Sequence, residues 1–276
     1  MNRLNWEMQC ADVTQRMSEY VSSFVTPLSM SMAQDSGVAW GSGTYIQGPD
    51  AVWILTAGHV ITDVPKDGRL AHLPIPGGEY NAALGLPTLI GGAIDAGALP
   101  VYPSPQLLPA PERVVPSSGI APAFRAVDEE LFFWIGFPGH TAHRDDLTSG
   151  QTLRVTMFNQ LYTPWKPMLM QGIKVGDITH PAFDATKHVG IHYPLKGTRS
   201  SDGKEIDLPH PKGMSGSALW DTKYVASFDA SVEWKPEMAE ICGVIWGALD
   251  NPYAVLATKI EHIRGTLPDV FKPVEH

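Results

Sequence analysis

The chain has 276 residues, of which 43% are hydrophobic and 18% charged, with a formal net charge of −9. This is the composition of a globular protein that can bury an apolar core without disulfides or metals. The negative charge argues against a general affinity for nucleic acid or an anionic membrane, because both need a basic surface. The 26 glycines and 24 prolines favour many short strands over long helices.

Cysteine usage and the N-terminal sequence bear on the compartment. Cys10 and Cys242 are the two cysteines, and we predict buried free thiols in a reducing environment, with a single bridge between them as the alternative. No apolar run near the N-terminus is long enough for a signal peptide, and no stretch reaches the roughly 18–20 apolar residues that span a bilayer. We therefore expect a cytoplasmic protein, although export without a cleaved signal would look the same.

In chain order, the first predicted element is a helix over residues 4–24, where apolar residues recur at helical spacing and no glycine or proline intervenes. We expect it to pack on the outside of the strands that follow. Residues 37–46 and 51–57 predict a hairpin joined through Gln47-Gly48-Pro49-Asp50. Further strands are predicted at 131–137, 152–158, 216–220, 224–228, 240–248 and 253–260.

The two strand-rich halves are separated by residues 100–122, with six prolines before Ser117. Proline fixes φ and removes a backbone donor, so this segment predicts a stiff linker on the surface. Near the C-terminus, 259–268 predicts a short helix that Gly265 and Pro268 would end. Many short strands indicate a barrel or a sandwich rather than a βαβ fold.

The first motif with a chemical implication is TAGHV, residues 56–60, at the end of an apolar strand. A histidine on a turn after a buried strand is rigid and faces a cleft, as a general base requires. An isolated His59 would more often be a loop or core imidazole. The Gly41-Ser42-Gly43 segment upstream makes the functional interpretation stronger.

The second motif is KGMSGSALW, residues 212–220, a tight turn followed by an apolar strand. Such a turn projects the Ser215 hydroxyl and leaves backbone N–H groups facing a developing oxyanion, and Gly213 allows that oxygen to approach closely. A glycine-serine hairpin loop is the alternative, but it does not account for the other motifs. The Gly-x-Ser-x-Gly elbow is not met, because Ser217 replaces its second glycine.

The third motif is IDAGALPV, residues 94–101, in which Asp95 precedes an apolar run. A carboxylate at a strand edge can orient a histidine that acts as a base. The motif is the least specific of the three, since Asp50, Asp63 and Asp67 are also near His59 in the sequence. We take Asp95 as the orienting residue.

These three motifs, in this order, resemble the signatures of trypsin/chymotrypsin-like serine peptidases, and most closely the disulfide-free bacterial members such as the DegP/HtrA-like catalytic domain. GSGTYI, WIGFPG and GVIWGA also resemble strands of that group. The resemblance implies an all-β fold of two six-stranded antiparallel β-barrels with the active site between them, to which the residue spacing adds the N-terminal and C-terminal helices. Expected boundaries are 1–24 for the N-terminal helix, 25–115 for the first barrel and 116–276 for the second.

The resemblance also implies site residues and a reaction. His59, Asp95 and Ser215 would form a catalytic triad, and the amides of Gly213 and Ser215 an oxyanion hole, without cofactor, on protein or peptide substrates. Ser217 departs from the family's glycine. No PDZ-like extension and no zymogen-type new N-terminus are visible. A catalytically silent homologue that acts as a binding module, and an esterase that uses the same triad, are the alternatives.

The specificity pocket would be formed by the segment before Ser215, including His210, and by the strand that carries Val244, Trp246 and Gly247. An acidic residue six positions before the nucleophile gives a preference for Lys or Arg in this family. Pro209 occupies that position. We therefore predict cleavage after uncharged, small to medium apolar residues, with acidic residues drawn by His210 as a lesser alternative.

The histidines outside these motifs do not predict a metal site. His140 and His143, or His180, His188 and His192, have no accompanying cysteine and no predicted helix to align them. We expect solvated loop histidines and no metal. The sequence leaves the oligomeric state open.

Overall fold

Two curled antiparallel sheets, each forming half of a double β-barrel, make up most of the computed structural model. The predicted all-β fold with two barrels is confirmed. The structure describes residues 3–33, 36–74, 81–82, 88–89, 94–101, 108–125, 127, 129–139, 143–144, 161–162, 166–173, 178–199, 203–250 and 253–272.

The helices and strands alternate along the chain as short segments. The helices are α1 (Arg3–Val21), α2 (Gly58–Thr62), α3 (Tyr224–Asp229) and α4 (Ile260–Thr266). The strands are β1 (Val25–Ala33), β2 (Ser36–Gln47), β3 (Val52–Thr56), β4 (Arg69–His72), β5 (Asn81–Ala82), β6 (Thr88–Leu89), β7 (Gly97–Val101), β8 (Leu131–Gly136), β9 (His143–Arg144), β10 (Leu161–Tyr162), β11 (Lys166–Gln171), β12 (His188–His192), β13 (Lys196–Thr198), β14 (Glu205–Asp207), β15 (Ala218–Asp221), β16 (Glu240–Asp250) and β17 (Tyr253–Lys259).

The first sheet has the order β5-β4-β1-β2-β3-β7-β6, and the second has the order β11-β8-β15-β16-β17-β12. The second matches the predicted six strands, whereas the first has seven because the two-residue strands β5 and β6 lie at its edges. Two small hairpins, β9 with β10 and β13 with β14, complete the described strands. The predicted hairpin of β2 and β3 is present, with Thr44 opposite Leu55.

Apolar side chains fill each sheet and the space between the sheets. Tyr45, Ile54 and Leu99 pack inside the first, and Trp134, Ile191 and Leu219 inside the second. A further cluster, which includes Met17, Leu55 and Trp220, joins α1 to both sheets. This shared core fixes the position of one barrel against the other.

Helix α1 packs on the second sheet, against β8 and β11, as expected for a helix on the outside of a barrel. Tyr20 makes an edge contact with Trp220, and the ring of Phe24 stacks on Trp220 at 6.0 Å. The Arg16 guanidinium donates to the carbonyl of Trp234 at 3.2 Å. The N-terminal segment is therefore part of the second barrel's surface.

The proline-rich segment is more buried than its sequence predicts. Its first two residues end β7, and its other described residues, 108–122, contain two 3-10 turns, Pro111–Arg113 and Ser117–Gly119, and no regular strand. Val115 is fully buried and exchanges backbone hydrogen bonds with β2, while the Ala121 amide donates to Ile241 of the second sheet. Its apolar residues thus pack it between the two sheets instead of across the surface.

The predicted strand at 224–228 is wrong, because these residues form α3. Lys223 turns the chain with φ 55° just before the helix, and the Glu130 carboxylate accepts hydrogen bonds from the amides of Val225 and Ala226. This capping carboxylate is remote in sequence, so local apolar spacing could not reveal it. The predicted strand at 152–158 lies outside the described residues.

Both cysteines are free thiols, as predicted. Cys242 is buried in β16, whereas Cys10 on α1 is only partly buried. Burial raises the pKa of the Cys10 thiol to about 11, with a further contribution from Glu7. Within the described part of the chain, no helix is long and apolar enough to cross a membrane.

Candidate active site

His59 and Asp95 meet because of the pairing of β3 with β7. Thr56, at the end of β3, lies opposite Gly97, at the start of β7, so the short helix α2, which follows β3 and carries His59 where a turn was predicted, adjoins the residues before β7. The Asp95 carboxylate accepts two hydrogen bonds from His59, one at 2.6 Å from Nδ1 and one at 2.8 Å from the backbone amide. This two-point contact fixes both the imidazole ring and its backbone.

The environment of His59 favours its protonated form. Its pKa is raised above the usual value, chiefly by the side-chain hydrogen bond to Asp95, against the opposing effect of burial. The charges of Asp95 and Asp63 raise it further. The His59 side chain is 36% exposed and that of Asp95 26% exposed, so the imidazole is anchored on one edge and accessible on the other.

Ser215 lies in a tight turn that leads directly into β15. Gly213 and Gly216 flank it with φ of +96° and +92°, a region that favours glycine. A Cβ on Gly216 would overlap the Ser42 carbonyl oxygen and the Thr56 hydroxyl. The turn therefore needs glycine there both for its backbone conformation and for its close approach to the first barrel.

The backbone of this turn is hydrogen-bonded to β2, the strand that pairs with β3. The Ser42 amide on β2 donates to the Ser215 carbonyl at 2.8 Å, and Thr56, three residues before His59, donates its hydroxyl to the Ser42 carbonyl at 2.7 Å. The Ser215 hydroxyl donates to the Trp246 carbonyl at 3.5 Å, and the two described residues Ser215 and His59 share no hydrogen bond. The turn is thus held next to the segment that carries His59.

Two amides of the turn are available to a ligand. The N–H groups of Met214, Gly216 and Ser217 donate to protein carbonyls. Those of Gly213 and Ser215 have no acceptor among the described residues. A pair of uncommitted amides beside a serine hydroxyl can receive an oxyanion.

The residues predicted to line the specificity pocket lie in different environments. Val244 is fully buried in the core, whereas Trp246 and Gly247 are half-buried at an irregularity in the pairing of β16 with β17. The Trp246 ring lies 5.0 Å from that of His188. His210 is on an exposed loop, where its Nδ1 accepts a hydrogen bond from the Lys212 amide.

Sequence reasoning gave no role to Ser42 or Thr56, although both lie in motifs that it singled out. Ser42 also donates its hydroxyl to the Gly213 carbonyl, 171 residues away. The Gly-Ser-Gly and TAGHV patterns signal these positions. Their partners depend on the docking of the two barrels, which no local pattern contains.

Across the described ranges, no group of three or more His, Cys, Asp or Glu is placed to hold a metal ion. His188 is buried and accepts a hydrogen bond from the Asp184 amide. His140 lies outside the described residues, and the side chain of His143 is not described.

The fold is similar to those of solved serine proteases. A serine endoprotease from Yersinia pestis has a TM-score of 0.52 and 15% identity, covering 94% of this chain and 66% of its own, so this chain spans just under two thirds of its length. The inactive form of the Rv3671c protease from M. tuberculosis has a TM-score of 0.50 and 14% identity, and the match covers 95% of this chain and 96% of the protease. No protein-family model and no curated protein matches the sequence. The chain has the double β-barrel, chymotrypsin-like fold.

Proposed function

We propose that this chain is a serine endopeptidase in which Ser215 is the nucleophile, His59 the general base and Asp95 the residue that orients it. The observation that carries the proposal is the double hydrogen bond between Asp95 and His59, at 2.6 and 2.8 Å, beside a serine turn with two uncommitted amides. A merely structural histidine would not need its ring and backbone held in this way next to an accessible hydroxyl.

In the acylation step, the Ser215 hydroxyl leaves the Trp246 carbonyl and donates its proton to Nε2 of His59. The Oγ electron pair forms a bond to the peptide carbonyl carbon, and the C=O π electrons move to the oxygen. The amides of Gly213 and Ser215 donate to that oxyanion. When the intermediate collapses, the C–N bond breaks and His59 returns the proton to the leaving amine.

Deacylation repeats the sequence with water. His59 takes a proton from water, whose oxygen attacks the acyl-enzyme ester, and the proton then returns to Ser215 Oγ as the acid leaves. Throughout, Asp95 accepts from Nδ1–H, which keeps Nε2 free to accept protons. The exposed edge of His59 suits this role, because Nε2 must reach both substrate and water.

Labelling with a fluorophosphonate tests the nucleophile. We expect the wild-type protein to take one label and Ser215→Ala to take none, with turnover reduced on the order of 10⁶-fold. Ser29→Ala, which removes another buried serine hydroxyl, is the matched control and should label normally. Normal labelling of Ser215→Ala overturns the assignment, and an unlabelled wild type indicates a silent homologue.

A comparison of substrates distinguishes a peptidase from an esterase. We expect hydrolysis of casein and of a peptide amide as well as of a small activated ester, all lost together in Ser215→Ala. Ester hydrolysis without any cleavage of casein or peptide would contradict the endopeptidase proposal while leaving the triad intact.

A further inference from the structure

In the nucleophile loop, residues 212–216, the carbonyl groups of residues 212–215 point into the protein and are held there by donors. The Lys212 carbonyl accepts from the Gly139 amide at 2.8 Å, and the Ser215 carbonyl from the Ser42 amide at 2.8 Å. The two carbonyls between them accept from serine hydroxyls: Gly213 from Ser42 at 2.9 Å and Met214 from Ser217 at 2.7 Å.

Holding a carbonyl also orients an amide. In a trans peptide, the C=O and the N–H of the next residue point in opposite directions. The Ser215 N–H shares its peptide plane with the Met214 carbonyl, and the Gly213 N–H shares its plane with the Lys212 carbonyl. Because both carbonyls are bound inside the protein, both amides face away from those donors. They are the two uncommitted amides of the turn.

We propose that the buried hydroxyls of Ser42 and Ser217 are positioning residues that keep the Gly213 and Ser215 amides directed at the oxyanion. This inference rests on the proposed function. Neither hydroxyl touches the reacting atoms. Each acts through a carbonyl of the nucleophile loop, one from the first barrel and one from within the turn itself.

This role gives a chemical reason for serine at position 217, where related peptidases have glycine. The Ser217 amide donates to the Met214 carbonyl at 3.1 Å, and its hydroxyl adds a second, shorter bond to the same oxygen. Ser217 is 1% exposed, and a Cβ on Gly136 would lie 3.0 Å from its Oγ, so the hydroxyl is confined. With glycine at 217, the peptide that carries the Ser215 amide would keep only the longer bond.

Ser42 is fixed by its own partners. Its Oγ accepts from the Phe137 amide at 3.1 Å, which leaves the hydroxyl hydrogen for the Gly213 carbonyl. The bond to that carbonyl holds the peptide between Gly213 and Met214, which lies between the two peptides that carry the Gly213 and Ser215 amides, so it fixes how those two amides are turned relative to each other. Ser42 is 1% exposed, so no solvent competes for the hydrogen.

The test compares Ser42→Ala and Ser217→Ala with Ser29→Ala, a serine of equal burial on β1 whose hydroxyl donates to the Val38 carbonyl at 3.1 Å. Deleting an oxyanion donor costs about 10²–10³-fold in kcat, so we expect a smaller loss, about 10-fold, when a donor is only misdirected. kcat and the fluorophosphonate labelling rate should fall together, with KM and the pH midpoint unchanged. Ser29→Ala should keep the wild-type rates.

Further variants and outcomes make the result decisive. Ser42→Thr retains a hydroxyl and should restore labelling, and melting temperatures show that each variant is folded; if Ser42→Ala is not, Ser217→Ala decides alone. Wild-type rates in the folded alanine variants, or an equal loss in Ser29→Ala, overturn this inference and leave the proposed function standing. A wild-type protein that neither labels nor cleaves peptide overturns both.

Discussion

At the scale of single residues, the best-defined feature is the pair formed by His59 and Asp95. The carboxylate accepts from both the ring and the backbone amide of His59, so it sets the tautomer and the ring position together. It also raises the pKa of His59. A base with a raised pKa is inactive over a wider acidic range, because it must be neutral to accept a proton.

Asp95→Asn is expected to lower turnover by roughly 10⁴-fold without unfolding the protein, because an amide allows the wrong imidazole tautomer. The pH at half-maximal kcat/KM should lie above the ordinary histidine value in the wild type and shift downward in the variant, since the main cause of the raised pKa is removed. Steady-state kinetics between pH 5 and 9 measure both effects.

Asp63→Asn is the matched control for that variant. Asp63 raises the pKa of His59 only through its charge, so its removal should shift the pH midpoint slightly and leave turnover nearly unchanged. If Asp63→Asn abolishes activity and Asp95→Asn does not, the orienting residue has been misassigned.

The primary specificity supports a further prediction at this scale. Pro209 lies six residues before Ser215, so this position supplies no carboxylate. The Pro209 carbonyl accepts a hydrogen bond from the buried Tyr193 hydroxyl at 2.6 Å. We expect cleavage after uncharged, small to medium apolar residues, measured with a peptide library and mass spectrometry. Dominant cleavage after Lys or Arg would refute it.

The three motifs predict His59 just after a buried strand, Asp95 just before one and Ser215 in a turn that leads into one, and the structure has them there, although His59 lies on the short helix α2 instead of a turn. The loop hydroxyls were harder to predict. In the sequence, Ser217 stands out only as a departure from the Gly-x-Ser-x-Gly pattern, and Ser42 only as part of a glycine-rich strand. Their hydrogen bonds arise when the turn closes and the barrels dock, so composition and periodicity carry no signal of them.

At the scale of elements, the predicted helices at 4–24 and 259–268 are present as α1 and α4, and the element predicted wrongly is α3, for which a strand was expected. β2, β3, β8 and β16 follow apolar runs bounded by turn residues, whereas α3 depends on a buried carboxylate from another segment. Glu130 is 1% exposed and accepts from the amides of Leu131, Val225 and Ala226. It therefore satisfies donors at the start of a helix that has no side-chain cap of its own.

Glu130→Gln should reduce the free energy of unfolding by about 1–3 kcal/mol, because the amide offers one acceptor oxygen where the carboxylate offers two to buried N–H groups. Urea denaturation at pH 7 measures the loss. The neighbouring exposed residue provides the control, and Glu129→Gln should change stability by less than about 0.5 kcal/mol. Equal effects of the two substitutions would argue against the capping role.

At the scale of the whole molecule, two buried groups make the free energy of unfolding depend on pH in opposite directions. Burial, with Arg113 nearby, lowers the pKa of His72 to about 4, and His72 shares a 2.7 Å hydrogen bond with the Tyr45 hydroxyl. Burial raises the pKa of Asp221 to about 6. The His72 contribution is present above the unfolded histidine pKa and is lost as the pH falls toward 4. The Asp221 contribution is present below the unfolded aspartate pKa and is lost as the pH rises through 6.

Removing either of these two groups by substitution should reveal the pH dependence of stability that the other one contributes. Relative to wild type, His72→Gln should lose less stability between pH 7 and pH 4, by roughly 3 kcal/mol, and Asp221→Asn should lose more by a similar amount. Guanidinium denaturation at pH 7, 5.5 and 4 measures these differences. Parallel pH profiles of all three proteins would show that neither group titrates as described.

The position of α1 on the second barrel has a consequence for synthesis of the chain. The helix ends at Val21, but Trp220, which its C-terminal end contacts, is translated about 200 residues later, or roughly 10–40 s at typical ribosomal rates. During that interval the apolar residues Val13, Met17 and Val21, all fully buried in the finished protein, lack part of the core into which they pack. The emerging helix α1 is therefore a segment that a holdase chaperone on the ribosome would recognise until the second barrel closes over it.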